Sequence, residues 1–535
     1  MATAGIPVWR AIGPTPLPAA PASRAPVVIV GAGPVGLALA LDLGRRGHHV
    51  VVLNKLDFVA GGSKAICFAK RSLDIFDRLG VGQAMVDKGV TWNVGKVFRG
   101  ADPKPIYEFD MLPVKDQHRP GFVNIQQYHV EDRLLSAIAA LPNVEVRWGH
   151  EAVALSQDAD HVSLDVDTPG GSYRLSADWL VACDGSKSPI RTMMGLDFEG
   201  RVFEDNFLIA DIRMDDDRPA ERWFWFDPPF NPGQSALMHR QPDNIWRLDF
   251  QLGWDIDRAA SVAPANVERL VRGMLGDDVV FSGEWYSVYT FQCRRMARFV
   301  HGRVLFAGDA AHLVSPFGAR GCNGGLADAD NLGWKLDLVL TGDAPAVLLD
   351  SYNEEAVITA DENIAASSRS TDFMSPKSNV STVFRDAVLE LAETQPFARP
   401  FVNSGRLSTA VSYPAGSLGT ADVDDWSGGV APGAPALDAP LGDGWMLRAL
   451  GDRFVLVADG LCFPAPTGLP LIDIADTAPD VSLMRSRYAL EPGTAYLIRP
   501  DQYVAARWRS PTPALIAAAL DRALGRAADD VVQRP

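Results

Sequence analysis

The 535-residue sequence lacks features that mark whole classes of protein. No window approaches the run of about 18 uncharged apolar residues that a membrane-spanning helix needs, so no membrane span is expected. The first 25 residues are rich in proline and alanine but lack the basic start and unbroken apolar stretch of a secretory signal. Basic residues are fewer than acidic ones: 50 Lys and Arg against 66 Asp and Glu give a net charge of −16. This negative charge argues against nucleic acid or an anionic membrane as a partner.

Cysteine is scarce and scattered. The five cysteines show neither a C-x-x-C pair nor a metal-ligand spacing: Cys67, Cys183, Cys293, Cys322 and Cys462. An odd number of isolated thiols fits a reducing cytoplasm better than a disulfide framework, and no metal site is expected. The 47% apolar and 22% charged residues are the ordinary balance of a globular protein, and the length implies more than one domain.

Residue patterns divide the chain into six segments. These are an extended N-terminal arm (1–25), the first part of a dinucleotide-binding domain (26–202), an antiparallel-sheet domain (203–292), the second part of the dinucleotide-binding domain with further helices (293–412), a Gly- and Pro-rich linker (413–440) and a small α/β domain (441–535). Alternating runs such as RWFWF and NIWRLDFQL predict antiparallel strands with one covered face in the third segment. The arm is expected to lie on the surface or on a neighbouring subunit.

A glycine-rich turn near the start carries the first chemical signal. Gly31, Gly33 and Gly36 form G-x-G-x-x-G between the apolar run VVIV and a helical segment that begins at Pro34. The first glycine permits a tight turn, the second lets the backbone approach a pyrophosphate, and the third lets the helix pack against the sheet. The pattern predicts a dinucleotide site without separating FAD from NAD.

Polar residues at three later strand ends extend this site. Asp184 and Asp309 each follow an apolar strand, where a carboxylate can accept hydrogen bonds from sugar or ribityl hydroxyls. The second strand ends on Asn54 and Lys55 in place of the usual acid, so Asn54 either bonds a ribose without charge or caps the strand. Restoring the acid at Asn54 is expected to tighten FAD binding, unless Lys55 has adapted the site. The glycines of PFGARGCNGG form a loop for a flat ligand, and the helix that begins near Asn323 favours negative charge at its N-terminus.

The three motifs in order, with Gln126-Gln127 and the E-x-x-L of 131–134 between them, resemble the class A FAD-dependent aromatic hydroxylases. The likeness covers about the first 360 residues and is nearest to the 3-(3-hydroxyphenyl)propionate and phenol hydroxylase branch, through GSKAICFAKRSLDIFDRLG, PFGARGCNGGLADADNLGWKL and RPDQYVAARW. The implied fold is α/β, with an FAD-binding Rossmann-like domain interleaved with an antiparallel-sheet substrate domain. A thioredoxin-like C-terminal α/β domain follows, and Cys462 alone there gives it no redox pair.

The resemblance also implies which residues hold a non-covalent FAD. They are Gly31, Gly33, Pro34, Gly36, Asn54, Lys55, Lys64, Gln127, Val153, Asp184, Asp309, Pro316, Gly321, Cys322 and Asn323. In this set Lys64 replaces the family's arginine near the pyrophosphate, Gln127 reaches the ribityl chain and Asp309 binds the ribityl hydroxyls. Asp184 supports the path by which a nicotinamide approaches. Pro316 lines the reactive face of the ring and is also a catalytic candidate.

The implied reaction is hydroxylation of a phenolic aromatic compound with O2 and NAD(P)H through a flavin hydroperoxide. NAD(P)H is a transient co-substrate because the chain has no second strand-embedded G-x-G-x-x-G. A base or cation is needed near the phenol oxygen, and the sheet domain offers Arg222, His239, Arg247 and Tyr289 without a reason to choose among them. A polyketide or N-heterocycle substrate, or a flavin-bearing scaffold, are the alternatives. The C-terminal domain predicts a homodimer or a higher homo-oligomer.

Overall fold

A computed structural model shows a mixed α/β protein and describes residues 7–18, 22–62, 64–110, 114–402, 408–414, 416–476 and 481–526. The strands, numbered along the chain, are β1 (Val8–Ala11), β2 (Ala22–Val30), β3 (Val50–Asn54), β4 (Phe58–Ala60), β5 (Cys67–Ala69), β6 (Val90–Thr91), β7 (Val94–Arg99), β8 (Tyr107–Asp110), β9 (Phe122–Asn124), β10 (Val144–Trp148), β11 (Glu151–Gln157), β12 (Val162–Thr168), β13 (Gly171–Ala182), β14 (Glu199–Arg213), β15 (Arg222–Phe226), β16 (Ser235–Arg240), β17 (Ile245–Gly253), β18 (Ser282–Arg295), β19 (Val300–His301), β20 (Val304–Phe306), β21 (His312–Leu313), β22 (Pro440–Leu441), β23 (Gly444–Trp445), β24 (Val455–Ala458), β25 (Leu471–Asp473), β26 (Ala495–Ile498) and β27 (Val504–Trp508).

The α-helices are α1 (Pro34–Arg45), α2 (Lys70–Arg78), α3 (Gly82–Lys88), α4 (Gln127–Ile138), α5 (Pro189–Met193), α6 (Arg258–Ser261), α7 (Pro264–Leu275), α8 (Gly321–Thr341), α9 (Leu348–Met374), α10 (Asn379–Thr394), α11 (Met446–Leu450), α12 (Ser482–Tyr488) and α13 (Pro513–Ala523). Short 3₁₀ turns are η1 (Gly308–Ala310), η2 (Pro396–Ala398) and η3 (Ile474–Asp476). Within the described ranges, no helix is long and apolar enough to cross a membrane.

The first large sheet confirms the predicted βαβ start. Its strands follow the order β10-β3-β2-β13-β12-β11, and β20 pairs with β13. The strands β10, β3, β2, β13 and β20 run parallel, so their carboxyl ends share one edge. The strand residues Val28, Ile29 and Val52 are fully buried, as expected for parallel strands that are covered on both faces.

The second large sheet is mostly antiparallel and draws on more of the chain than 203–292. Its order is β21-β18-β14-β17-β16-β15-β7-β8, and β7 pairs in parallel with β15. The strands β7 and β8 come from residues far upstream, while β14 begins at Glu199 and β18 ends at Arg295. Such pairing between distant segments is not visible in the local pattern, because a period of two gives a strand's faces but not its partner.

The described part of the N-terminal arm, residues 7–18, lies on its own chain. Strand β1 pairs antiparallel with β4, and residues from Ala22 onward already belong to β2 of the first large sheet. The arm therefore ends before residue 22 and not at 25.

The C-terminal part contains a four-stranded sheet of order β25-β24-β26-β27, with its own apolar cores. The preceding segment, 413–440, was predicted as a linker from its composition, and some of its described residues contact the C-terminal sheet. The rings of Tyr413 and Tyr503 stack with centroids 5.0 Å apart, and Asp422 forms an ion pair with Arg507 at 2.6 Å. These contacts join the segment to the C-terminal sheet.

Candidate active site

A cavity of about 360 Å³ lies between the carboxyl edge of the parallel sheet and one face of the antiparallel sheet. Its volume lies within the range of about 300–1,000 Å³ that is common for small-molecule sites. The expected residues that line it are Gly33, Pro34, Lys64, Gln127, Arg222, His239, Arg247, Tyr289, Asp309, Pro316, Gly321, Cys322 and Asn323. The structure therefore brings together both groups of candidates, those for the cofactor and those for the substrate.

The glycine turn has the shape that a pyrophosphate requires. A Cβ at Gly31 would lie 2.2 Å from the Cys183 carbonyl oxygen, and one at Gly36 would lie 2.1 Å from the Gly31 oxygen. At Gly33, by contrast, a Cβ would meet no atom within 4 Å. No side chain caps the N-terminus of α1, which begins at Pro34. Two glycines thus permit close packing, while the third leaves space at a helix end that attracts phosphate, so the site fits a dinucleotide.

Asn54 stabilises this turn through its side chain. Its Oδ1 accepts a hydrogen bond from the Ala32 N–H at 3.3 Å, and its Nδ2 donates to the Leu56 carbonyl at 3.1 Å. Lys55 beside it is exposed. Asn54 therefore supports the turn and uses one of the two N–H groups of its amide to do so, while its bond to a ribose stays a prediction.

Asn54→Asp should weaken FAD binding by about fivefold, contrary to the expectation from the missing acid. A carboxylate cannot donate to the Leu56 carbonyl, and an acceptor left unpaired costs about 1 kcal/mol or more. Fluorescence titration of apoprotein with FAD measures the change, with Asn54→Ala showing the effect of losing both bonds. A tighter complex in Asn54→Asp would show that a ribose contact outweighs the turn.

Asp309 projects from η1, at the carboxyl end of β20, and its side chain opens onto the cavity while the surrounding protein shields it from bulk water. Burial raises its pKa, and the positive charge of Lys64 partly opposes that shift. Behind it, His312 Nε2 lies 2.6 Å from a carboxylate oxygen of Asp328, which also accepts the Gly308 N–H at 2.9 Å. Asp328 thus holds the turn in place, while the carboxylate of Asp309 faces the cavity and can accept hydrogen bonds from ligand hydroxyls.

Asp309→Ala should weaken FAD binding by about 5- to 150-fold, because an unpaired hydroxyl in a closed site costs about 1–3 kcal/mol. The ratio of flavin to protein absorbance after gel filtration reports the loss. Asp197→Ala is the matched control, since that carboxylate is 89% exposed. Full flavin retention in Asp309→Ala would contradict its assignment to the cofactor.

Gln127 is the first residue of α4 and contacts the cofactor side of the cavity. Its Nε2 donates to Glu131 at 2.8 Å, and its Oε1 accepts the Ala65 N–H at 3.3 Å. Burial raises the pKa of Glu131 to about 7. The side-chain amide of Gln127 therefore links α4 to the segment that contains Lys64 and Ala65.

The loop before α8 is held by Asn323. Its Oδ1 accepts from the Ala69 N–H at 2.9 Å and from the Ser72 hydroxyl at 2.6 Å, and its Nδ2 donates to the Cys67 carbonyl at 2.9 Å. These bonds occupy the side chain, so a ligand meets the loop backbone. Burial raises the pKa of the Cys322 thiol, which disfavours the thiolate that a covalent flavin bond needs.

Several expected cofactor residues do not line the cavity in the described part of the chain: Gly31, Gly36, Asn54, Lys55, Asp184 and Val153. The Asp184 carboxylate accepts the Ile190 N–H at 3.1 Å and so orders the turn after β13. Val153 lies in the edge strand β11 and is 42% exposed. The pairing of β11 with β12 shifts register between Ala152 and Ala154, so Val153 is the extra residue there, and its contact with the cofactor stays a prediction.

Three polar side chains that line the cavity, Arg222, His239 and Arg247, form a row across β15, β16 and β17, and the row continues to Asp211 of β14. In the strand register, Arg222 lies opposite His239, His239 opposite Arg247, and Arg247 opposite Asp211. Arg247 and Asp211 form two parallel bonds, each of 2.8 Å. Arg222 is only 3% exposed, and its Nε and Nη1 form no hydrogen bond with the described residues. A buried cation with unused donors suits an oxyanion that comes with a ligand.

Asp249 is a titratable residue of the cavity that was not among the candidates from the sequence. It lines the cavity two residues after Arg247 in β17, and alternation along a strand puts the two on one face, which is the signal that could have found it. Burial raises the pKa of Asp249 to about 6, although Arg247 and Arg222 favour its charged form. The Nε2 atom of His239 lies 3.9 Å from a carboxylate oxygen of Asp249. Burial lowers the pKa of His239 well below its usual value, so the imidazole ring is neutral. Burial also raises the pKa of Tyr289, which keeps its hydroxyl protonated.

Comparison with known sequences identifies the family. The FAD binding domain family matches residues 24–367. The 3-(3-hydroxy-phenyl)propionate/3-hydroxycinnamic acid hydroxylase of Klebsiella pneumoniae subsp. pneumoniae is 29% identical over 521 residues, covering 90% of this chain and 91% of that protein. The 12-dehydrotetracycline 5-monooxygenase/anhydrotetracycline 6-monooxygenase of Streptomyces rimosus subsp. rimosus is 30% identical over 504 residues, covering 90% of this chain and 95% of that protein.

Solved structures agree in fold. The flavin-dependent monooxygenase PieE, solved with FAD and substrate, is 22% identical, with a TM-score of 0.79 over 95% of this chain and 100% of that one. Aklavinone-11 hydroxylase, solved with FAD and aklavinone, is 21% identical, with a TM-score of 0.77 over 94% of this chain and 99% of that one. The expected family and its FAD cofactor are thus confirmed. The chain belongs to the FAD binding domain family and is an FAD-dependent aromatic monooxygenase of class A.

Proposed function

We propose that the protein hydroxylates a phenolic compound in this cavity, with FAD held non-covalently by the glycine turn, Asp309 and the loop before α8. One observation carries the proposal: Gly33 of the dinucleotide turn and the side chains of Arg222, His239 and Arg247 line the same cavity. When bound, FAD supplies the transfer of electrons from NAD(P)H to O2 and of an oxygen atom to the substrate. The protein's own residues bind the phenol, remove its proton and exclude water.

Asp249 and Arg222 divide the work on the phenol oxygen. A free phenol has a pKa near ~10 and is mostly neutral at pH 7. Asp249, with a pKa of about 6, is ionised at that pH and accepts the phenolic proton, whereas neutral His239 is too weak a base. The unused N–H groups of Arg222 then bind the phenolate oxygen. Phe207 and Phe317 help to close the cavity against water.

The proposal extends to the rest of the chain. The FAD-binding parts, 26–202 and 293–412, are interleaved with the substrate sheet, and 441–535 is a thioredoxin-like domain that supports a homodimer or a higher homo-oligomer. The four-stranded C-terminal sheet supports that comparison. NAD(P)H visits the flavin transiently. None of the five cysteines is paired, which supports a reducing cytoplasm as the location.

Arg222→Met should lower kcat/KM for the true substrate by about 10- to 150-fold, because a hydrogen bond to a charged group is worth about 1.5–3 kcal/mol. Substrate-stimulated NAD(P)H oxidation and the shift of flavin absorbance across a panel of phenols measure this. Arg213→Met is the control, since that side chain is 49% exposed at the end of β14. If no phenol shifts the spectrum or stimulates NAD(P)H oxidation, the phenolic assignment is wrong.

A polycyclic polyketide is the second candidate substrate. The Streptomyces rimosus relative, whose name states action on tetracycline precursors, matches this chain as fully as the hydroxyphenylpropionate enzyme does. The panel should therefore include a tetracyclic phenol and an N-heterocycle. A spectral shift and coupled turnover with the tetracyclic phenol alone would favour this second reading.

A further inference from the structure

We infer that the N-terminal arm is a strap that holds the cofactor edge of the cavity in position, with Trp9 and Arg10 as its positioning residues. The arm, residues 7–13, precedes the part of the chain that matches the FAD binding domain family. It contacts both elements that carry Lys64 and Gln127 into the cavity. The inference rests on the proposed function and on the cofactor contacts that the family resemblance implies for those two residues.

The strap is attached along β4. Val8 pairs with Ala60 and Arg10 with Val59, so Trp9 is an extra residue in the strand. A bulge of this kind turns its side chain away from the regular alternation. Beyond β1, the N–H groups of residues 12 and 13 donate to the Asp57 carbonyl at 3.2 and 2.8 Å. The arm is therefore bonded to the chain on both sides of the bulge.

The bulge places Trp9 on α4. Its ring stacks on Tyr128, with centroids 5.1 Å apart and planes inclined by 21°. Arg10 forms an ion pair with Asp132 in the next turn of the helix. Gln127, the residue before Tyr128, begins the helix and lines the cavity. The strap thus grips α4 at the end that faces the cofactor.

The strap also grips the segment that leads to Lys64. The Gly61 N–H donates to the Pro7 carbonyl at 2.6 Å. A Cβ at Gly62 would lie 2.7 Å from the Trp285 ring and 3.2 Å from Pro7, so this glycine fits between the arm and a residue that lines the cavity. The segment is held on one side by the arm and on the other by the substrate sheet.

These contacts make one arrangement of Lys64 and Gln127 the resting state. Without the arm, β4 would lose its strand partner and α4 would lose a stacked ring and an ion pair. A ligand would then have to order both elements on binding, and that cost lowers affinity. The strap therefore acts on FAD retention through preorganisation and not by touching the cofactor.

The test compares FAD binding in the full-length double variant Trp9→Ala/Arg10→Ala with that in wild type. We expect a Kd for FAD about tenfold higher and a correspondingly faster FAD release, with the melting temperature of the apoprotein unchanged. Trp9→Phe/Arg10→Lys, which keeps a ring and a cation, should recover most of the affinity. Val8→Ala is the control on the same strand, since Val8 is 54% exposed.

Gln127→Ala and Lys64→Ala distinguish a failure of the strap from a failure of the cofactor contacts of these two residues. If both bind FAD more weakly while the double arm variant binds it as wild type does, the strap is overturned and the proposed cofactor site stands. If both keep full affinity, the proposed roles of Lys64 and Gln127 fail, and the strap fails with them. A double arm variant whose apoprotein melts at a lower temperature, with no rescue by Trp9→Phe/Arg10→Lys, would show a merely structural arm.

Discussion

Asp249→Asn should lower kcat/KM for a phenolic substrate by about 10²- to 10⁴-fold, the usual contribution of a positioned general base. The amide keeps the size of the carboxyl but cannot accept the phenolic proton. Binding of the phenol should change far less than turnover, because the unused donors of Arg222 remain in the cavity. Steady-state kinetics with the phenol identified in the panel gives the ratio directly.

The dependence of kcat/KM on pH gives a second test of Asp249 as the base. Burial raises the pKa of Asp249 to about 6, and a base works only when it is deprotonated. Wild-type kcat/KM should therefore rise with pH through about 6 and level off above it, and Asp249→Asn should lose that limb. Asp255→Asn, at an exposed residue just beyond β17, is the control and should keep it. An acid limb that persists unchanged in Asp249→Asn would place the base elsewhere.

Local patterns were enough to predict the cofactor half of the fold. The glycine turn, the buried runs around it and the carboxylate after β20 all lie within short stretches of sequence, and the parallel strands bring their ends to one edge. Asn54 shows where local patterns stop. The sequence shows a polar residue at a strand end, but not that its amide is bonded to the glycine turn.

The substrate half was predicted less well because strand pairing between distant segments decides it. Arg222, His239 and Arg247 were all candidates, yet their common row across β15, β16 and β17 depends on register that no single strand reveals. The alternation within β17 could have added Asp249 to the set once Arg247 was placed. Its role as base needed the burial that raises its pKa, which is a property of the assembled cavity.

A second large effect is expected where the C-terminal part meets the cofactor-binding part. Arg499, in the RPDQYVAARW stretch, donates to Glu355 of α9 at 2.9 Å, and Lys335 of α8 donates to the same carboxylate at 2.7 Å. Asp501 is the other partner of Arg499, and all four side chains are at most 3% exposed. Burial alone would raise the pKa of Glu355, but Arg499 and Lys335 hold it far below its usual range.

Arg499→Met should therefore lower the free energy of unfolding by about 3–5 kcal/mol, because removing one partner of a buried ion pair leaves the opposite charge uncompensated. Denaturant titration of the holoenzyme measures the loss. Arg526→Met in the same C-terminal part is the control: its side chain is 45% exposed and that of its partner Asp521 is 55% exposed, so the pair should contribute about 1 kcal/mol or less.

The same cluster changes what truncation should do. Because the C-terminal domain has no redox pair, its sequence alone predicts that deleting residues after about 412 alters quaternary structure more than chemistry. The deletion would, however, leave Glu355 and Lys335 without Arg499. These two residues lie in α9 and α8, and α8 begins directly after the loop that lines the cavity. Arg499→Met should accordingly lose FAD at a lower denaturant concentration than wild type, as followed by flavin fluorescence. A variant as stable as wild type would mean that the two parts fold and hold FAD independently.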